Sequence, residues 1–373
     1  MSGIVVHVRQ GFEDDAAKEL SHQLNDCGVT SRSMQAIADS AIVVVTLSRE
    51  DMNLARSKLK LADLIFSRQL LWLSSFVNLP AEGDRVSSLV DEIKGPLLEI
   101  SGSNAFSGFF FETPDTDSSK ELTGFCKSLT RHVENALNKI KLMPKGKGAS
   151  HLPRVHLVMT SNHQVLVTLA DVHNSSPWTM GIPRLRFPPS APSRSTLKLE
   201  EAFHVFLGQE AMGEKLQAGM TAVDLGACPG GWTFQLVKHR MQVTAIDNGA
   251  LDEKIMDSGL VTHLREDAFA YRPYDTVDWM VCDVVEQPAK ITSLMVEWIV
   301  RGHCRNTIFN LKLPMKKRFE ETTACLNHLK DRCRESGKII EVKAKQLYHD
   351  RKEITVYVAV KSVAKRSIST KSG

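Results

Sequence analysis

Residues 224–233 read DLGACPGGWT. An apolar stretch ends in an acid, glycines follow at 226, 230 and 231 around Cys228 and Pro229, and a helix is expected to start near Trp232. Glycine lacks a Cβ, so the backbone here can take positive φ or approach a ligand closely. Two further acids stand at comparable places. Asp247 closes QVTAID, 21 residues after Gly226, and Asp267 closes THLRED. A carboxylate only accepts hydrogen bonds. At the first position it could take both hydroxyls of a ribose, and at the second the exocyclic amine of an adenine. Singly, each feature reads as a tight turn or a solvated acid. Three acids, Asp224 included, at successive strand ends around one glycine loop point to a nucleoside-like ligand. The spacing is not Gly-x-Gly-x-x-Gly, so the dinucleotide fingerprint is not met. Lys312 adds a second kind of chemistry: it ends the apolar run NTIFNLKL just before Pro314, and a lysine so placed needs a partner or a function.

The elements that must position these residues alternate. TAVDLGA, QVTAID (242–247), THLRED (262–267), VDWMVCDVV (277–285) and NTIFNLKL (306–313) read as strands, several of them separated by helical segments. Such alternation implies right-handed crossovers and a mostly parallel sheet covered on both faces, with ligands at the carboxyl ends of its strands. The end differs. KIIEVKAKQLYHD and EITVYVAVKS are almost contiguous and predict an antiparallel hairpin on one edge.

Upstream, GIPRLRFPPSAP (181–192) holds four of the 14 prolines and predicts a stiff connector, with 173–194 as linker. Before it, residues 1–60 read as a small α/β unit: strand 4–8, helix 12–27, strand 41–47, helix 51–60. Residues 61–172 read as a second α/β unit. It carries strand character in LLWLSSFV, a helix at 82–94 and a hairpin turning at Ser161–His163. A longer helix is expected at 120–141, where Leu122, Phe125, Cys126, Leu129, Val133, Ala136, Leu137 and Ile140 share one face.

Composition bounds the function classes. The 373 residues suffice for several cores, and no run approaches the ~18 apolar residues of a membrane helix. The start, MSGIVVHVRQGFEDD, lacks the features of a signal peptide. The cysteines at 27, 126, 228, 282, 304, 325 and 333 are odd in number and contain no Cys-x-x-Cys, which predicts reduced thiols, a cytoplasmic protein and no metal site. Residues 1–181 carry 18 Lys+Arg against 20 Asp+Glu, a net −2, and residues 182–373 carry 29 against 23, a net +6. The basic half suits a polyanion. In the other half, RNA contact would need a local patch, for which Lys139, Lys141, Lys145, Lys147 and Arg154 are the candidates.

DLGACPGGWT resembles motif I of class I S-adenosylmethionine-dependent methyltransferases, and most closely the loop D-L-G-x-x-P-G-G-[WF] of the FtsJ-like ribose 2′-O-methyltransferases. The resemblance implies a Rossmann-like domain over 195–373, with a seven-stranded, mostly parallel sheet and an antiparallel edge hairpin. It also implies S-adenosylmethionine bound by Ser195, Gly226, Cys228, Pro229, Gly230, Gly231, Trp232, Asp247, Asp267 and Asp283. Ser195 would otherwise be an N-cap. These enzymes carry a Lys–Asp–Lys–Glu tetrad, which falls here on Lys198 in SRSTLKLEEAF, Asp283 in VCDVV, Lys312 in FNLKLP and Glu353 in DRKEITVY. Lys312 is the expected general base. Burial and Lys198 would lower its pKa while the two acids would raise it, and the sequence leaves that balance open. The whole chain is similar to bacterial enzymes that methylate a cytidine ribose of large-subunit (23S) ribosomal RNA. In these, a ferredoxin-like unit (1–60 here) and a THUMP-like RNA-binding domain (61–172) come first. A monomer acting on naked or early-assembly RNA is expected, with 2′-O-methylation of another structured RNA as the alternative. RNA cytosine C5-methyltransferases have a similar loop, but they place cysteines after the fourth and fifth strands, where this chain has Asp283–Glu286 and Lys312–Pro314. A non-enzymatic RNA-binding protein would have no need of the tetrad.

Overall fold

The computed structural model describes residues 2–144 and 150–361. Lys145, Lys147 and the basic tail beyond 361 lie outside them. The chain divides into two compact units, Met1–Arg184 and Leu185–Gly373, the division falling within the proline-rich stretch.

The first unit opens with β1 (Ser2–Val8), α1 (Glu13–Asp26), β2 (Ser33–Gln35), β3 (Ile42–Leu47), α2 (Arg49–Lys58) and β4 (Ser67–Asn78). This is a βαββαβ run whose strands lie in the order β2-β3-β1-β4, each pair antiparallel, a ferredoxin-like arrangement. It closes only with β4, beyond residue 60. α3 (Arg85–Glu92), α4 (Leu98–Ser101), β5 (Gly108–Glu112), α5 (Leu122–Lys139), β6 (Arg154–Met159) and β7 (Gln164–Ala170) follow. The free edge of β4 pairs with β7, so one sheet of seven strands runs through the unit in the order β2-β3-β1-β4-β7-β6-β5. The sequence reading misses β2 and β5. Glu112 sits buried in β5 because His156 Nδ1 lies 2.8 Å away and His7 Nε2 3.3 Å away, partners distant in sequence. Arg154 does not join the expected basic patch. Its Nε donates to His156 Nε2 at 3.0 Å and its guanidinium lies 4.7 Å from the centre of the Phe110 ring.

The second unit contains α6 (Thr196–Phe206), α7 (Gly208–Lys215), β8 (Thr221–Leu225), α8 (Gly231–Lys238), β9 (Gln242–Ile246), α9 (Glu253–Met256), β10 (Val261–Leu264), β11 (Val277–Cys282), α10 (Pro288–Val300), β12 (Cys304–Lys312), α11 (Arg318–Glu335), β13 (Ile340–Lys345) and β14 (Glu353–Val360). The sheet order is β10-β9-β8-β11-β12-β14-β13, parallel throughout except for the antiparallel pairings made by β14. Trp279, Met280, Val281 and Cys282 are each fully buried in succession, as a strand covered on both faces requires. The strand order reverses between β8 and β11, which makes their carboxyl ends a natural crevice. β10 stops at Leu264, leaving Asp267 in the turn beyond it rather than at a strand end. Among the described residues no helix is long and apolar enough to cross a membrane.

Since the second unit has its own sheet and core, residues 185–373 produced alone should unfold in one cooperative thermal transition. A gradual melt without a transition would show that they depend on the first unit.

Candidate active site

The carboxyl ends of β11 and β12, the start of β14 and the first turn of α6 bring four charged side chains together. Leu197, Leu199, Ala202, Phe203 and Phe206 turn one face of α6 into the core, which leaves Lys198 projecting over the sheet end. Lys312 and Glu353 are direct cross-strand partners. Lys312 Nζ donates to Asp283 Oδ1 at 2.7 Å and to Glu353 Oε2. Lys198 Nζ lies 3.3 Å from Asp283 Oδ2 and pairs with Glu353 Oε1. Each lysine thus touches both acids, and the four formal charges cancel.

Burial pushes the Asp283 carboxyl upward, but Lys198, Lys312 and a hydrogen bond from Asn310 outweigh it and hold it below the usual carboxylate range. For Lys312, burial favours the neutral amine, yet Asp283 and Glu353 prevail and its pKa is raised. The opposed effects left open by the sequence balance in favour of the acids, which favours the ammonium form of Lys312.

The glycine loop lies next to this cluster. Gly226 has φ +76°, and a Cβ there would come within 2.6 Å of Val284 Cγ2, beside Asp283. At Gly231 a Cβ would fall 2.0 Å from Ser195 Oγ and 2.5 Å from Ser193 Oγ, so this glycine makes room for the segment leading into α6. Ser195 does not cap α6; its hydroxyl pairs with Ser193 Oγ at 2.6 Å. Asp247 fastens the loop: Oδ2 accepts from the Cys228 N–H at 2.9 Å and Oδ1 from the Gly249 N–H at 2.7 Å. Each oxygen keeps a lone pair for a further donor. The Trp232 side chain is 3% exposed and packs in the apolar core with Leu199, Phe203 and Leu236, so a ligand would meet only its backbone. Asp267 is exposed, and its Oδ1 accepts from the Phe269 N–H at 2.8 Å, a local turn bond. Pro229 and Gly230 carry the loop from Cys228 to the start of α8.

Asp224 is 1% exposed, with Oδ2 taking the Thr233 hydroxyl at 2.6 Å while Oδ1 is buried with no hydrogen-bond partner among the described residues. Burial pushes its pKa up to about 7 against the Thr233 bond, helped by Asp283 and Asp247. Just beyond the tetrad strands, Val285 and Met315 are 82% and 78% exposed; Lys316 and Lys317 follow Met315 in sequence, and Lys352, next to the exposed Arg351, brings its Nζ 3.7 Å from Met315 Sδ.

Residues 191–344 match the FtsJ-like methyltransferase family, residues 84–171 the N-terminal family of ribosomal RNA large subunit methyltransferase M, and residues 1–71 the RlmM ferredoxin-like domain. The ribosomal RNA large subunit methyltransferase M of Cronobacter sakazakii is 42% identical over 96% of this chain and 96% of its own length. The protein of the same description from Serratia proteamaculans is 43% identical over 96% of each chain. The chain belongs to the ribosomal RNA large subunit methyltransferase M family.

Beyond the residues singled out from this family member's sequence, the structure brings Asn310, Thr355, Asp350 and Glu201 behind the tetrad. Asn310 and Thr355 could have been found by the period-2 rule, standing two residues from Lys312 and Glu353 on the same strand faces. Asp350 and Glu201 gave no such signal. The thiols do not suit nucleophilic attack on a base. Burial, then Asp247, raises Cys228, and burial pushes Cys282 and Cys304 up to about 12.

Two outcomes follow. Gly231→Ala should destabilise the protein by about 1–3 kcal/mol through overpacking against Ser193 and Ser195, measured by denaturant unfolding. For Asp224, the folded state holds the proton more tightly than the unfolded chain, so stability falls as pH rises from the ordinary value of 3.8 to about 7. The Tm of Asp224→Asn relative to wild type should therefore climb across that window and level off above it. A difference independent of pH would show Asp224 to be ionised throughout.

Proposed function

We propose that the chain transfers the methyl group of S-adenosylmethionine to the ribose 2′-hydroxyl of a cytidine in large-subunit (23S) ribosomal RNA. The observation that carries this reading is the closed Lys198–Asp283–Lys312–Glu353 cluster beside the glycine loop, in a member of this family.

The residues at the crevice fit the cofactor. Asp247 is half-buried with lone pairs to spare for ribose hydroxyls. When bound, S-adenosylmethionine supplies an activated methyl on a sulfonium, a fixed positive charge that weakens a neighbouring ammonium's hold on its proton. Asp283, below the usual carboxylate range, stays ionised and orients Lys312 Nζ. Lys198 and Glu353 complete the ring of charges and hold that nitrogen in place. Lys312 Nζ, once neutral, accepts the proton of the ribose hydroxyl as the oxygen attacks in line. Positioning supplies much of the rate, since only a narrow range of approach angles is productive.

The exposed apolar side chains Val285 and Met315 offer surface for a nucleobase, and Lys316, Lys317, Arg351 and Lys352 offer charge for the flanking phosphates. The part that follows β4, up to residue 172, is assigned as the THUMP-like RNA-binding part, supported by the exposed Lys127, Arg131, Lys139 and Lys141 on and after α5. All four tetrad members meet within one chain, so the cluster needs no second copy, and a monomer is the state proposed. Such an enzyme works in the cytoplasm with its RNA. The C5-methylation alternative finds no support in the raised thiol pKa values.

Mass mapping of 23S rRNA from cells with and without the protein should show one ribose-methylated cytidine that disappears with it; a change on a base instead would overturn the reading. Lys312→Ala should lower the single-turnover rate by ~10²–10⁴ with cofactor affinity retained. Lys312→Arg should fail equally, because arginine keeps its proton. An arginine variant retaining more than about a tenth of the rate would make Lys312 an electrostatic anchor. Asp247→Ala should weaken cofactor binding severely by calorimetry, and unchanged affinity would remove it from the site.

A further inference from the structure

Behind the tetrad the β12/β14 pair carries a second cross-strand polar couple, Asn310 opposite Thr355. Asn310 and Thr355 are fully buried, as is Asp350 in the segment that links β13 to β14. Asn310 Nδ2 donates to Asp283 Oδ1 at 2.9 Å. A carboxylate only accepts, so the amide nitrogen must face Asp283 and the amide oxygen must face the other way. That oxygen lies 2.8 Å from Thr355 Oγ1. An amide oxygen also only accepts, so Thr355 spends its single proton there. Thr355 Oγ1 is in addition 2.9 Å from Asp350 Oδ2. With the threonine proton committed, this contact is a hydrogen bond only if Asp350 donates, and a carboxyl donates only when protonated.

We propose that Asp350 is a neutral, protonated carboxyl heading a one-directional chain, Asp350 to Thr355 to Asn310 to Asp283, that positions Asp283 and so sets how firmly Lys312 holds its proton. Asp350 and Asn310 are positioning residues; neither touches the reacting atoms. The part of the inference that concerns Lys312 rests on the base role given above, and the protonation of Asp350 does not.

The surroundings of Asp350 agree. Glu353 of β14 and Glu201 of α6 face it, with Lys198 of α6 as the cation. Burial first, then the two acids, raises its pKa well above the ordinary value. The same Oδ2 accepts the Leu347 N–H at 3.0 Å, as a carboxyl hydroxyl oxygen can while donating to Thr355, and Oδ1 is buried with no hydrogen-bond partner among the described residues. The segment itself is pinned by Glu201, which accepts from the Tyr348 and His349 N–H groups at 2.8 and 2.9 Å and lies 2.6 Å from His349 Nδ1. Were Asp350 ionised, Thr355 would turn its proton towards it. Asn310 would lose the donor that fixes its orientation, and Asp283 would lose a stable bond.

Asn310→Ala removes the donor to Asp283, leaves that carboxylate a stronger partner for the Lys312 ammonium and should move the apparent pKa of the single-turnover rate upward by on the order of one unit. Asp350→Asn keeps a donor facing Thr355 without needing a proton, gives up the Leu347 N–H bond at the same position, a loss that does not depend on pH, and should leave the pH profile in place. Rates are read on 23S rRNA from cells lacking the protein, with the full chain. In a second arm, the Tm of Asp350→Asn relative to wild type should shift in the variant's favour as pH rises from about 5 to about 8, because the wild type must retain a proton that the unfolded chain releases. A Tm difference independent of pH would show Asp350 ionised and overturn the chain's direction. An Asp350→Asn profile displaced like that of Asn310→Ala would do the same. Equal rate losses at every pH in both variants would reduce the chain to scaffolding. If Lys312 proves not to be the base, Lys312→Arg retains activity while the Tm arm is untouched, so the two failures are told apart.

Discussion

Two ammonium groups and two carboxylates share one small volume at the end of an apolar sheet. Any one of them alone in that volume would carry a heavy desolvation cost, because a partly buried charge without a partner is unstable. The four are stable only as a set, with each lysine touching both acids. Much of the second unit's architecture serves that requirement. β11 and β12 end side by side and deliver Asp283 and Lys312, the antiparallel β14 begins with Glu353 opposite Lys312, and the buried face of α6 fixes Lys198 above them. A fully parallel sheet could not place a strand's first residue against its neighbour's last in this way.

The neutrality of the set has a chemical consequence. Asp283 and Glu353 raise the pKa of Lys312 against the effect of burial, so the base role proposed for it would need further positive charge in the crevice to oppose their hold. The loop is held too: Asp247 anchors it through two backbone N–H groups, and the missing Cβ of Gly231 admits Ser193 and Ser195. Part of what looks from composition like freedom for a ligand is freedom for the protein's own segments to pack.

The first unit shows how local pattern and tertiary partners divide the work. α5 buries Leu122, Cys126, Leu129, Val133 and Leu137 as the helical spacing demands. β5 was illegible, since its Glu112 reads as a surface acid until His7 and His156 are brought to it from far along the chain. Arg154 was misread for the same reason: a cation's surroundings are not written in its neighbours.

Sequence by itself determined the class of the second unit and the residues of its centre. Alternating apolar runs and helical spacings have a fixed period, so the parallel sheet and its edge hairpin could be read directly. The resemblance of a few residues then picked out Lys198, Asp283, Lys312 and Glu353, which the fold brings into contact. Tertiary structure alone decided the direction in which the Lys312 pKa is moved, the burial of Trp232 in the core, the placing of Asp267 in a turn beyond β10, and the presence of Asp350 and Glu201 behind the site. The reason is range. Backbone conformation follows from side chains a few residues apart, whereas burial and the balance of charges depend on groups that meet only after the chain has folded, and no spacing rule encodes which of two opposed electrostatic effects is larger.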